Sequence, residues 1–127
     1  MKLQVVSKDN KYYGILPDTG WVTCEMESGY ENYLKARVIG KVLYISGNAV
    51  KSSGTMPANT YTTVGKIPSS ILQVWTPPTI DVEYTTYCRC QGDGMASVTV
   101  NVTNNNIIIR PSVNTGWARL TILIPGD

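Results

Sequence analysis

Between Thr79 and Cys90, residues Asp81, Glu83, Tyr87 and Arg89 occupy odd positions, while Tyr84 and Thr86 occupy even ones. In an extended strand this alternation collects two carboxylates, a phenol ring and a guanidinium on one face. Trp75 precedes them in the connection Trp75-Thr76-Pro77-Pro78, which its two prolines stiffen. A flat aromatic covers the apolar face of a sugar ring, and carboxylate, amide or Arg groups pair the hydroxyls. Trp75, Asp81, Glu83, Tyr87 and Arg89 are therefore the candidate saccharide-binding residues. The same odd-numbered set also suits the wet side of an edge strand, with Trp75 as a core plug.

Catalytic chemistry is narrowly bounded. The chain has no histidine, so it supplies neither a Ser-His-Asp nor a Cys-His nucleophile pair, nor a His-containing zinc site. Carboxylate pairs remain, Asp81 with Glu83 and Glu25 with Glu27, and a glycosidase needs only two carboxylates held roughly 5 to 10 Å apart. A carbohydrate-active hydrolase built on such a pair stays as an alternative to binding; neighbouring carboxylates on an exposed strand more commonly discourage edge pairing. Cys88-x-Cys90 lacks both the two-residue spacing and the second pair of a thiolate zinc site. No catalytic residue, metal or cofactor is expected. Cys24, Cys88 and Cys90 are odd in number, and Cys24 can pair with at most one of the others. The expectation is three reduced, buried thiols.

Composition narrows the partners. Only 16% of the residues are charged, the net charge is +2, and the cations are spread without a basic run. Nucleic acid is not an expected partner. The opening Met1-Lys2-Leu3-Gln4-Val5-Val6-Ser7 is too short an apolar run for a signal peptide, and no later stretch approaches a membrane span of roughly 18 apolar residues. Membrane insertion is not expected, and the chain reads as made and kept soluble. Eight Tyr and three Trp with no Phe select rings with a polar handle, suited to half-exposed surfaces, although Tyr and Trp are also good strand residues.

The elements that must position these groups are strands. No apolar spacing holds a 3.6-residue period for three turns, and Gly, Pro and Asn clusters interrupt the chain about every ten residues. Strands are predicted at Leu3 to Val6, Lys11 to Leu16, Trp21 to Met26, Tyr33 to Ile39, Lys41 to Gly47, Tyr61 to Ile67, Thr79 to Cys90, Ala96 to Thr103, Ile107 to Arg110 and Ala118 to Ile124. The pair around Gly40 fits a hairpin or one bulged strand. Ser46 to Asn59 is predicted as a loop. Asn104-Asn105-Asn106 is a hairpin turn, since Asn tolerates positive φ, and Ile107-Ile108-Ile109 reads as a return strand buried on both faces. The fold class is all-β, a jelly-roll-like antiparallel β-sandwich of about 8–10 short strands.

The order of these motifs resembles the C-terminal head domain of phage tail-fibre and baseplate receptor-binding proteins. The resemblance runs from Trp21 through the strand pair Tyr33 to Gly47, Val64-Gly65-Lys66-Ile67-Pro68, Pro77-Pro78 and the hairpin Val98 to Ile109 to the final strand Trp117 to Ile124. It implies one head domain over residues 1–127, with 1–20 as lead-in strands and 21–127 as the core. It further implies a non-catalytic protein of the phage tail in the virion, recognising a bacterial cell-wall saccharide. Other tail or baseplate proteins and a homotrimer are the implied partners. No heptads exist to enforce a trimer, so the head surfaces would have to do so. A structural virion component contacting only other subunits is the competing reading.

Overall fold

The computed structural model describes residues 2–6, 12–78 and 83–127, with side chains from Asp18 onward. Strands β1 (Lys2–Val6) and β2 (Tyr12–Pro17) form an antiparallel pair of their own. The remaining described strands are β3 (Val22–Thr23), β4 (Glu25–Met26), β5 (Leu34–Ile39), β6 (Val42–Val50), β7 (Thr62–Lys66), β8 (Glu83–Cys90), β9 (Met95–Asn101), β10 (Asn106–Pro111) and β11 (Trp117–Pro125). These nine make one antiparallel sheet in the order β3-β5-β6-β11-β8-β9-β10-β7-β4. Its two edge strands, β3 and β4, are separated in sequence only by Cys24, so the sheet curls into a nearly closed barrel or sandwich. The all-β class and antiparallel layering expected from the sequence are what the chain adopts.

Binary patterning drives the arrangement. Along β11, Ala118, Leu120, Ile122 and Ile124 are buried while Arg119, Thr121 and Leu123 are exposed. Leu34, Ala36 and Val38 on β5 alternate in the same way, and on β9 Val98 and Val100 are buried on either side of a buried Thr99. Each fully buried aliphatic side chain contributes on the order of 1.5–3 kcal/mol of transfer free energy. The ends of the interior are filled by Met56, Ile67, Ile71 and Trp75, all 2% exposed or less.

Several elements depart from the sequence expectation. Gly40-Lys41 forms a two-residue turn, with Ile39 opposite Val42, so β5 and β6 are a hairpin and not one bulged strand. β6 then continues through Asn48 and Val50, which face Arg119 and Trp117 of β11, where a loop was expected. Gly47 and Asn48 are turn-formers by local propensity, but a nine-residue partner strand outweighs that preference. Gly47 takes a φ of 130°, and a β-carbon there would collide with the Tyr33 carbonyl. The strand expected over Trp21 to Met26 is split at Cys24, because its halves pair with different partners. A single helical turn, α1 (Ser69–Leu72), was not anticipated, being too short to show a period. It is held by Leu72 N–H donating to the Pro68 carbonyl (3.2 Å) and puts Ile71 in the core.

The entry to the large sheet is tied by electrostatics. Asp18 accepts from Arg37 Nε (2.9 Å) and Nη2 (2.6 Å) and from the Gly20 amide (2.9 Å). The Arg37 hydrogen bond, then that of Gly20, holds the Asp18 carboxyl at about 2, below its ordinary 3.8. The carboxylate is thus more acidic folded than unfolded. The pair stabilises the fold above about pH 4, and its contribution fades as the pH falls toward 2. Asp18→Asn should lower the thermal midpoint at neutral pH and flatten its decline between pH 4 and pH 2, followed by circular dichroism. Gly47→Ala should lower unfolding stability by at least about 1–3 kcal/mol in urea titration, since Ala does not adopt that φ without strain.

Candidate functional site

The outward-facing row of β8 is the one selected from the sequence. Glu83, Thr85, Tyr87 and Arg89 are exposed, while Cys88 and Cys90 point inward. Its central neighbours decide the shape of the surface. Thr85 lies opposite Thr99 and Tyr87 opposite Ser97 on β9; across the next seam, Ile108 and Arg110 of β10 face Thr99 and Ser97. Short side chains on the middle strand therefore run between taller ones on its flanks. The result is a trough of about 640 Å³ whose lining includes Tyr61, Glu83, Tyr87, Met95, Ser97 and Arg110.

The groups around the trough are held in place. Thr85 and Thr99 share a hydroxyl hydrogen bond of 3.0 Å. Ser112 Oγ accepts from the Met95 amide (3.0 Å), and the Ser112 amide donates to the Met95 carbonyl (2.7 Å). The Arg110 guanidinium sits 5.4 Å above the Tyr61 ring, a cation–π contact that orients it. Tyr61 and Tyr87 are 72% and 74% exposed, which leaves Tyr87 and the face of Tyr61 turned away from Arg110 open to stacking. Two phenols, a guanidinium, a carboxylate and several hydroxyls around a shallow floor suit a polyhydroxylated ligand with apolar faces.

Among the expected site residues, Glu83 and Tyr87 line this trough. Arg89 shares their face but lies beyond its end, and Asp81 lies outside the described residues. Trp75 does not offer a ring to a ligand: it is 2% exposed, beneath the end of the chain, where the Gly126 and Asp127 amides donate to the carbonyls of Lys41 and Thr76. The large ring area buried here outweighs leaving the indole Nε1 without a hydrogen-bond partner, so Trp75 is the plug and not the platform. Sequence reasoning missed Tyr61, Arg110 and Ser97, which reach the site only through pairing of β10 with β9 and the proximity of Tyr61 to Arg110. The alternation of Ser97 and Thr99 with Val98 and Val100 carried a partial signal, marking a face of short polar side chains. Ile108 is only partly buried and lines the trough, so the Ile-Ile-Ile strand is not buried on both faces of this chain.

Little here resembles a nucleophilic centre. Cys24, Cys88 and Cys90 are free and buried. Burial pushes the Cys24 thiol up to about 12 and the Cys88 thiol up to about 11, so neither is a thiolate at neutral pH. Glu83 is the sole carboxylate among the described lining residues. Glu25 faces elsewhere, accepting from Ser69 Oγ at 3.2 Å. Among the described residues, no helix is long and apolar enough to cross a membrane.

No protein-family model matches the chain, and no curated protein matches it in sequence. Its fold is nonetheless that of a phage head domain. A similar solved structure is the crystal structure of the head domain of phage bIL170, discussed in terms of a common fold for the receptor-binding domains of lactococcal phages. The two share 20% sequence identity with a TM-score of 0.56, over 85% of this chain and 98% of that one.

Burial separates the trough from the plug in a measurable way. Tyr87→Ala should leave unfolding stability within about 0.5 kcal/mol of the parent, whereas Trp75→Ala should cost about 3–5 kcal/mol. Urea titration of the two variants checks both values.

Proposed function

We propose that the chain is a receptor-binding head of a phage tail or baseplate, carried on the virion, that recognises a bacterial cell-surface saccharide without cleaving it. The observation that carries this reading is the trough on β8–β9–β10, with Tyr61, Tyr87, Arg110 and Glu83 around a floor of Ser97 and Thr99. It lies on a fold shared with a phage head domain. A non-catalytic role is supported by the lack of histidine and by the single described carboxylate of the lining. On this reading residues 1–20 lead into a head formed by 21–127, the partners are other tail or baseplate proteins, and the working assembly is a homotrimer.

The test is calorimetric titration of the purified chain with cell-wall polysaccharide from candidate hosts, alongside light scattering for the assembly state. Tyr87→Ala and Arg110→Ala should each weaken binding about tenfold, equivalent to ~1.4 kcal/mol. Unchanged affinity in the double variant would remove the site from the trough. A chain that binds tail proteins but no wall polysaccharide from any host would instead be a structural component.

A further inference from the structure

Beyond the trough, the outer surface places two arginines directly opposite each other across a strand seam. Arg119 of β11 stands opposite Arg89 of β8, on one of the two rungs, with Ala118–Cys90, that join these strands among the described residues. Both arginines are exposed. Cβ atoms of directly opposed residues lie about 4.5–5.5 Å apart, and like charges in that position destabilise the pairing.

Three other cations of the described residues have a charged or aromatic neighbour. Arg37 is gripped by Asp18, and Lys51 and Arg110 lie over the rings of Tyr30 and Tyr61. Arg119 lies 5.2 Å above the Trp117 ring, which fixes its plane and leaves its charge. Neither Arg89 nor Arg119 forms an ion pair with a described carboxylate.

The ground beside this rung is polar and recessed. Asn48 of β6 faces Arg119 across the opposite seam, and Ser46 faces Thr121, their hydroxyls 2.9 Å apart. Together they line a depression of about 370 Å³ next to Arg119. Guanidinium forks match the oxygens of phosphate and carboxylate, and flanking hydroxyl and amide donors complete such a shell.

We propose that the Arg89–Arg119 rung is an oxyanion-binding site, taking a phosphate or carboxylate group. Its favoured source is an anionic substituent on the glycan that occupies the trough. Tyr87 and Arg89 are two residues apart on one strand face, about 7 Å, so one oligosaccharide reaches both. That choice of source rests on the receptor-binding reading above; the oxyanion site itself does not.

The test uses the full chain and two probes. Inorganic phosphate should shift the Arg89 and Arg119 side-chain NH resonances in a saturable titration, and added chloride should weaken the effect by screening. Polygalacturonate, whose repeating units carry carboxylates, should bind more tightly than neutral dextran of similar length. Arg89→Gln/Arg119→Gln should abolish the phosphate shifts and remove at least about tenfold of the preference for the acidic polymer. Its thermal midpoint should stay level or rise, because a like-charge pair has gone. Arg119→Glu serves as a second variant, since it allows an ion pair with Arg89 and should also lose the anion.

A response to phosphate without preference for the acidic polymer supports the site and assigns its source to free anions. No response to phosphate together with no acidic preference overturns the proposal, as does tighter binding of single-stranded DNA than of polygalacturonate, which would mark a nucleic-acid surface. Host polysaccharide affinity that falls in Tyr87→Ala but not in the arginine variants overturns the glycan link while leaving the trough reading intact.

Discussion

The run Val22–Glu27 hydrogen-bonds to strands far apart in the chain, and closure of the sheet depends on it. Val22 and Thr23 pair with Ala36 and Lys35, and the Cys24 amide donates to the Leu34 carbonyl at 2.9 Å. One residue later the partner changes: Glu25 and Met26 pair with Lys66 and Gly65, and the Glu27 amide donates to the Val64 carbonyl at 3.0 Å. Without this run, β5 and β7 would each present an open edge, with unpaired backbone groups available for aggregation. Cys24 can stand at the switch because it is small and apolar enough to be buried there, 3% exposed. Gly65 allows the closure on the other side, since a β-carbon there would come within 3.0 Å of the Glu25 carbonyl.

A frame closed in this way gives the outer surface its usefulness. Recognition by shallow contacts demands that rings and charges be held before the ligand arrives, because ordering them on binding costs affinity. On the proposed receptor-binding reading, the trough meets that demand by placing most of its groups on paired strands, with Ser97 and Thr99 low between Tyr87 and Arg110. The seam between β11 and β8 is built differently. β11 pairs with β6 along nine residues, from Trp117 to Pro125, and among the described residues with β8 at Ala118 and Arg119. The Arg89–Arg119 rung is one of the described pairs that join the two halves of the sheet.

Much of the frame was legible from local pattern. Alternation marked β5, β9 and β11 to within a residue or two at each end, because a half-buried strand must place apolar groups at every second position. The Asn104-Asn105-Asn106 turn was equally visible, and Asn105 has a φ of 64°. Local pattern failed where a distant partner overrode it. Gly47 and Asn48 read as the start of a loop but are held in β6 by β11, and Trp21 to Met26 read as one strand but serves two. The exposed face of β8 was read correctly at Glu83 and Tyr87, since period-2 alternation assigns faces without any knowledge of neighbours.

What the sequence determined by itself was the element type, the inward or outward sense of side chains, and the exclusion of histidine-based chemistry. Each follows from residue identity or from spacing along one strand. Which faces meet was decided only by the tertiary structure. Tyr61 and Arg110 join Tyr87 because β9 lies between β8 and β10; Arg89 meets Arg119 because β11 crosses back to lie beside β8. Trp75 left the surface for the core because the interior had a space of its size beneath the chain's last residues. Strand order and cavity filling depend on the sum of many weak contacts between segments remote in sequence, and no local window contains that sum.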